Sequence, residues 1–170
     1  DIREVIHNKL TSMEKSGEME VRKKQMMEKV SQQIIRPQSL NLPKLNETVI
    51  HYVDPSVIVN NDIYTPKGQL IAKAGTSVNP FARIQFNKAL FFFDSDDDTQ
   101  VQWAKANYQK YKQVKFILTS GSVQTSSKIF GRVYFDLKGE LTTKLKITSV
   151  PAVAVQEGLQ WKVTQVGGLR

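Results

Sequence analysis

The sequence predicts an α/β fold: a domain with a mixed β-sheet, preceded by a small β module and an N-terminal helical arm. Residues 2–35 repeat apolar side chains every three or four positions, as an amphipathic helix does. Residues 48–80 change to short β segments separated by turn residues. From residue 88 onward, strand-like and helix-like segments alternate, which is the pattern of a sheet covered by helices.

Composition sets the first limits on function. The chain has 170 residues, of which 40% are hydrophobic, so it can form a core. It has no cysteine, which excludes thiol nucleophiles, disulfide exchange and thiolate metal sites. Its two histidines, His7 and His51, lie far apart in sequence and are too few for a histidine-rich metal site. No apolar run approaches the roughly 18 residues that a membrane span needs.

Residues 1–36 are predicted to form the helical arm, in two pieces separated at Ser16-Gly17. Pro37 ends the arm, because the residue before a proline is disfavoured in the α-helical conformation. The first piece carries a narrow apolar stripe of five side chains, Ile2, Val5, Ile6, Leu10 and Met13. The second continues a weaker stripe, at Met19, Met26, Val30 and Ile34. A narrow stripe needs a surface to cover it, either the body of the same chain or another protein, so the first five are candidate partner-binding residues.

A linker and a small β module are predicted to follow the arm. Residues 37–47 hold two prolines among polar spacers, which is typical of a linker. Residues 48–84 are assigned to the module, with strands expected at 48–52, at 56–59 and on either side of a turn within 64–71. Pro66 and Gly68 favour that turn. The module is too small for a large core, so we expect it to pack against the rest of the molecule.

Residues 85–170 are predicted to form the domain with the mixed sheet. The apolar run 89–93 is expected to be a strand covered on both faces. Further strands are expected at 114–118, 133–136, 152–155 and 160–166. Helices are expected over 99–112 and, with a more ambiguous pattern, 122–130, and one or two helical turns over 140–147. Glu157-Gly158 is expected to be a hairpin turn.

Pro151 is a candidate structural proline. It stands at the start of a predicted strand, where a proline removes no ladder hydrogen bond. The turn before it favours a cis peptide bond between Val150 and Pro151, which would be a specific structural device. The alternative is a trans proline that simply begins the strand.

The acidic segment 94–98 is the most tempting candidate for a metal site. Its acids stand at the first, third and fifth positions of a calcium loop. However, Thr99 stands where that loop needs glycine, and Lys105 stands where it needs a bidentate glutamate. Acids at the N-terminus of the following helix are better explained as acceptors for its free backbone N–H groups. We therefore predict no metal site and no cofactor.

No motif in the sequence predicts catalysis. The glycines form no phosphate-binding loop, since they are isolated turn residues apart from a pair near the C-terminus. A serine hydrolase would need a histidine base, and the two histidines fall in the arm and in the small module. We therefore predict that the protein is not an enzyme.

The positive charge is concentrated in the last seventy residues. Residues 101–170 hold 11 basic and 3 acidic side chains, which accounts for the whole net charge of +8. Such a region favours an acidic partner, an anionic membrane surface or nucleic acid. The lysines are dispersed, which favours a solvated basic face and no bound nucleic acid. A nucleic-acid-binding module is the alternative, and its binding would weaken steeply with salt.

The order of elements from residue 90 onward resembles the thioredoxin fold. Residues 90–93 look like its first strand running into a helix, and 133–155 look like its strand–helix–cis-proline portion. The hairpin turn at Glu157-Gly158 also agrees. Thioredoxins carry a Cys-x-x-Cys pair at the start of the first helix, where this chain has residues 95–98. The resemblance implies a thioredoxin-like domain without redox activity.

Nearly the whole chain resembles the TraW family of type-F conjugative transfer systems. The matching motifs occur in the same order, at 2–6, 52–56, 68–71, 74–76, 78–80, 90–94, 96–97, 100–104, 133–136 and 150–152. One stretch departs from the family. Residues 122–128 are polar, where the family more often shows an apolar helix, so we expect a different packing partner there.

This resemblance implies a periplasmic protein needed to assemble the conjugative pilus and its type IV secretion channel. It implies a TrbC-like partner and other periplasmic or outer-membrane channel components, and it brings no catalytic residue. The sequence begins at Asp1 without a methionine, so we expect that any export signal has been removed. The expected function is non-enzymatic assembly through protein–protein contacts of the arm.

Overall fold

The computed structural model describes residues 1–170 as a mixed α/β structure. Its helices are α1 (Ile2–Lys15), α2 (Glu18–Ile35), α3 (Asp98–Asn107), α4 (Val123–Phe130) and α5 (Glu140–Lys144). Its first five strands are β1 (Val49–Val53), β2 (Val57–Ile58), β3 (Ile63–Tyr64), β4 (Leu70–Ala72) and β5 (Ser77–Val78). The other five are β6 (Ala89–Asp94), β7 (Val114–Ser120), β8 (Val133–Phe135), β9 (Ala152–Glu157) and β10 (Gln160–Gln165). Short 3₁₀ turns cover Pro80–Ala82, Tyr108–Lys110 and Leu137–Gly139.

Six strands form one mixed sheet in the order β1-β10-β9-β6-β7-β8. The strands β6, β7 and β8 run parallel to one another. The strand β9 is antiparallel to both β6 and β10, and β1 is antiparallel to β10. Two separate two-stranded sheets pair β2 with β5 and β3 with β4. The predicted α/β class with a mixed sheet is confirmed.

The sheet is buried on both faces around β6, as the continuous apolar run predicts. Ala89, Phe91 and Phe93 point to one core, which Val101 and Ala104 of α3 complete. The alternate residues of β6 point to the second core, which is built from these side chains: Val53, Leu90, Phe92, Ile117, Leu145, Ile147, Val150, Ala152, Ala154 and Val163. Since side chains alternate along a strand, a six-residue apolar strand supplies both cores at once.

The segment predicted to be a linker lies against the large sheet. The Leu40 backbone N–H donates to the Thr119 carbonyl at 2.9 Å, and the Val150 N–H donates to the Pro43 carbonyl at 3.0 Å. Leu42 packs against the second core. The following strand, β1, pairs with β10 and forms one edge of the six-stranded sheet. By its hydrogen bonds β1 therefore belongs with the large sheet, although the sequence grouped it with the module at 48–84. That division of the chain stays a prediction.

The two small sheets touch the body through a few side chains. The Asn79 amide donates to the Leu159 carbonyl at 2.9 Å. The Trp161 ring packs edge-on against two phenylalanines, with centroids 4.9 Å from Phe81 and 5.2 Å from Phe86. Only Val59 and Ala72 of this region are buried hydrophobics. The module thus depends on the rest of the molecule for most of its support, as its size predicts.

The helix predicted over 99–112 is shorter in the structure, where the α-helix α3 covers Asp98–Asn107. It ends at Asn107, and residues 108–110 continue as a 3₁₀ turn. The Asn107 amide donates to the Trp103 carbonyl at 2.8 Å, which occupies an acceptor of the last turn. The Tyr111 ring then packs edge-on against Phe91, with centroids 5.5 Å apart. Packing of aromatic side chains on the core thus sets where the helix ends, which local periodicity does not reveal.

Candidate functional site: the helical arm and its anchor

The arm consists of α1 and α2, and neither helix buries a residue. The break predicted at Ser16-Gly17 is present, because Gly17 adopts a φ of 72° that glycine accepts without strain. Of the five stripe residues, Ile2, Val5, Ile6 and Leu10 are exposed, from 75% for Ile2 to 49% for Leu10. Met13 is half-buried. The body of the chain therefore leaves most of the stripe uncovered.

The second helix exposes more apolar side chains than its periodicity indicates. Met26, Val30 and Ile34 of the predicted stripe are exposed, whereas Met19 is half-buried. Three further exposed apolar residues were missed: Val21, Met27 and Ile35. They lie off the stripe, so a search for one helical face passes over them. The arm thus presents apolar side chains on more than one side of α2.

Two ion pairs connect the base of the arm, and the segment that follows it, to the acidic loop, residues 94–98. Arg36 Nη1 lies 2.7 Å from Asp96 Oδ2, and Lys44 Nζ lies 2.9 Å from Asp97 Oδ2. The helix α2 also contacts α4. The acidic loop follows β6, so the arm is attached at the carboxyl-terminal edge of the parallel strands. No spacing in the sequence relates these cations to acids more than fifty positions away.

Hydrogen bonds within the acidic loop explain its composition. Asp97 begins α3 by accepting from the Thr99 N–H at 2.9 Å and from the Thr99 hydroxyl at 2.6 Å. Asp94 accepts from the Asp96 N–H at 2.8 Å. The predicted role of these acids as acceptors at the helix start is thus observed for Asp97. No group of three or more histidines, cysteines or carboxylates converges there or elsewhere in residues 1–170 as a metal site.

The pKa values of two carboxyl groups in this loop, Asp94 and Asp97, are shifted in opposite directions. Partial burial would raise the pKa of Asp97, but bonds from Thr99, Lys44 and Gln100 outweigh it, so this pKa lies well below its usual range. Burial raises the pKa of Asp94, and the neighbouring Asp96 and Asp97 charges add to that effect. The hydrogen bond to Asp96 raises the pKa of Arg36. Asp97 is therefore the carboxylate best suited to hold a cation of the anchor.

The remaining candidates from the sequence are Pro151 and the two histidines, and the structure shows what each of them contacts. The peptide bond between Val150 and Pro151 is cis, and Pro151 is buried. The Gln165 side-chain oxygen accepts from the N–H groups of Thr148 and Ser149, both at 2.9 Å, which orders the preceding turn. His51 Nε2 lies 2.9 Å from the Leu145 carbonyl oxygen. The other histidine lies on the exposed face of α1, so the two are not brought together.

Comparison with known proteins places the chain in a family. Protein TraW of Escherichia coli (strain K12) is 34% identical to it over 154 residues, which are 89% of this chain and 73% of that protein. This chain belongs to the TraW family. The resemblance to the TraW family that the sequence motifs indicate is thereby confirmed. The match is longer than any single part of the fold, so the similarity to TraW extends over most of the chain and not over one domain alone.

Two other comparisons gave no match: no family model and no solved structure corresponds to this TraW-family chain. Among its helices, none combines the length and the apolar character that crossing a membrane requires.

Proposed function

We propose that the protein is a non-enzymatic component of a type-F conjugative transfer system, acting in the periplasm during pilus and channel assembly. Membership of the TraW family supports this role. The observation that carries it is the arm, in which two helices of 14 and 18 residues bury no side chain. Many proteins bind a partner through an amphipathic helix whose apolar stripe packs into a groove of that partner.

The proposed partner is a TrbC-like protein, with other periplasmic or outer-membrane channel components. The stripe of Ile2, Val5, Ile6, Leu10 and Met13 would pack against an apolar groove of that partner. Burial of such a stripe contributes a few kcal/mol, at about 25 cal/mol per Å² of apolar area. The anchor at Arg36 and Lys44 supports this proposal, because it holds the base of the arm while leaving the apolar side chains uncovered.

We further propose that residues 85–170 form a thioredoxin-like domain that serves as a rigid platform. The order β10-β9-β6-β7, with β9 antiparallel to its neighbours, supports this assignment. So does the succession of β8, α5, the cis bond before Pro151 and the β9–β10 hairpin. The segment 95–98, which replaces the cysteine pair, contributes instead to the anchor of the arm.

Charge substitutions in the stripe test the role of the arm. The double variant V5E/L10E places two carboxylates on the exposed stripe, where they would be buried in the complex without partners. We expect its affinity for a purified TrbC-like protein, measured by titration calorimetry, to fall at least about tenfold, which is about 1.4 kcal/mol.

The matched control is N8E/T11E, which adds the same charge to polar positions of α1 on the side away from the stripe. It should bind the partner within about twofold of the unmodified protein, since these positions lie off the stripe. Equal binding by both double variants and the unmodified protein would remove the arm from the proposed mechanism.

A further inference from the structure

A second charged surface lies at the amino-terminal edge of the three parallel strands. Five cations frame it, and we call it the basic groove: Lys88, Lys110, Lys112, Lys115 and Arg132. It consists of two adjoining depressions of about 560 and 320 Å³ that share Lys88 and Gln113. The strands β6, β7 and β8 all begin there, which brings together cations from distant parts of the sequence.

The positive charge of the basic groove is not compensated. No carboxylate lines either depression, and none of the five cations has a carboxylate oxygen within 4.0 Å. Lys110 donates to the Asn107 amide oxygen, and Lys115 lies 5.4 Å from the centre of the Tyr134 ring. Both contacts keep the positive charge. A concave surface lined by one sign of charge concentrates the potential and attracts anions.

The acidic loop does not neutralise this groove. It lies beyond the opposite end of β6, and a six-residue strand spans about 20 Å. Exposed charges separated by more than about 8 Å are largely screened at physiological ionic strength. Two of its acids, Asp96 and Asp97, are also occupied by the cations of the arm anchor. The two edges of the sheet therefore act as independent electrostatic surfaces.

The groove suits an extended polypeptide better than a nucleic acid. Each of its aromatic rings already contacts another side chain of the protein: Phe86 contacts Trp161, Tyr111 contacts Phe91, and Tyr134 contacts Lys115. Binding of single strands needs free rings on which bases stack. The lining instead offers side-chain amides that can pair with peptide groups and carboxylates, from these residues: Gln85, Asn87 and Gln113. Beside it, β8 is the outer strand of the sheet, a position at which an extended chain can add.

We propose that the basic groove binds an acidic, extended segment of a partner protein. This surface is separate from the arm, which joins the molecule at the opposite edge of the sheet, and it does not depend on the arm's role. With partners at both edges, the protein would connect two other components. Carboxylates of the bound segment would pair with the cations of the groove, which fixes where that segment lies and speeds its association.

The test uses the full chain and a fluorescein-labelled oligoglutamate peptide, followed by fluorescence anisotropy at physiological salt. The variant K112E/R132E reverses one charge at each depression, at exposed positions where the fold is not disturbed. We expect its Kd for the peptide to rise at least about tenfold. The neutral variant K112Q/R132Q should give a smaller increase, with an unchanged circular dichroism spectrum for both.

The matched control is K67E/K73E, which makes the same change of net charge at exposed lysines of the small β module. Its Kd should change less than about twofold. A similar loss in both double variants would show a response to net charge alone and overturn the proposal. Tighter, groove-dependent binding of a thymidine oligonucleotide of equal charge would overturn it in favour of nucleic acid. Absence of peptide binding by the unmodified protein would also overturn it.

Discussion

Asp136 is 2% exposed and forms no ion pair, yet both of its carboxylate oxygens accept hydrogen bonds. It accepts from the backbone N–H groups of Leu141 and Thr142, both at 2.9 Å, and from the Thr142 hydroxyl at 2.8 Å. These bonds connect the end of β8 to the start of α5. A buried carboxylate is tolerated when several donors replace the water it has lost.

Replacing Asp136 with alanine should therefore be strongly destabilising. The D136A variant leaves three donors without an acceptor, and we expect the free energy of unfolding to fall by about 2–4 kcal/mol. Urea denaturation followed by tryptophan fluorescence measures it. The control E140A removes an exposed acid of the same turn and should cost under about 1 kcal/mol. Equal losses in the two variants would show that the buried hydrogen bonds of Asp136 contribute little.

Among the elements, the acidic loop has two structural roles: it begins the helix α3, and it forms ion pairs with residues from earlier in the chain. Asp97 caps α3 and also pairs with Lys44 from the segment before β1. Asp96 pairs with Arg36 at the base of the arm. Gly121, at the end of β7, lies so close to this loop that a Cβ atom there would collide with Ser95. The loop is therefore shaped by contacts with three other parts of the chain.

The lowered pKa of Asp97 predicts a pH-dependent contribution to stability. Below the ordinary aspartate pKa of about 3.9, the unfolded chain binds a proton that the folded protein does not. The contribution of Asp97 is therefore complete above about pH 4 and is lost as the pH falls further. Asp94, whose pKa is raised, contributes in the opposite sense, so the comparison must isolate Asp97.

The variant D97N isolates it, because asparagine keeps an acceptor at the helix start but loses the charge that pairs with Lys44. We expect D97N to be less stable than the unmodified protein by about 1 kcal/mol at about pH 6, with the difference shrinking as the pH falls below about 4. Urea denaturation at several pH values measures this. The exposed neighbour serves as control, since D98N should stay within about 0.5 kcal/mol of the unmodified protein. A difference for D97N that is constant across the pH range would contradict the assignment.

Across the whole molecule, stability is unevenly distributed. The large sheet holds both cores, whereas the arm contributes no buried residue to either. Helices without tertiary packing are marginal in water, because their hydrogen bonds alone barely offset the loss of conformational freedom. The anchor adds an exposed ion pair at Arg36 and a partly buried one at Lys44, and such pairs stabilise a fold far less than a buried core does.

Amide hydrogen exchange should show this division directly. In the free protein we expect protection factors in α1 and α2 to be at least about 100-fold lower than in β6 and β7, because opening the arm exposes no core. Mass spectrometry of peptides from each region measures the exchange. Binding of a partner through the arm should raise the protection of α1 while leaving that of β6 unchanged. Comparable protection of arm and sheet in the free protein would contradict this account.

Local patterns in the sequence were enough to predict the α/β class, the two-piece arm, the doubly covered strand at 89–93 and the family. These follow from periodicity, turn residues and motif order, which are local in the chain. The pairing of β1 with the large sheet, and of Arg36 and Lys44 with the acidic loop, became visible only in the folded structure. The same holds for the five cations of the basic groove, which come to one edge of the sheet from three segments of the chain. Such pairings depend on which strands become neighbours, and strand order is fixed by long-range packing that no local pattern records.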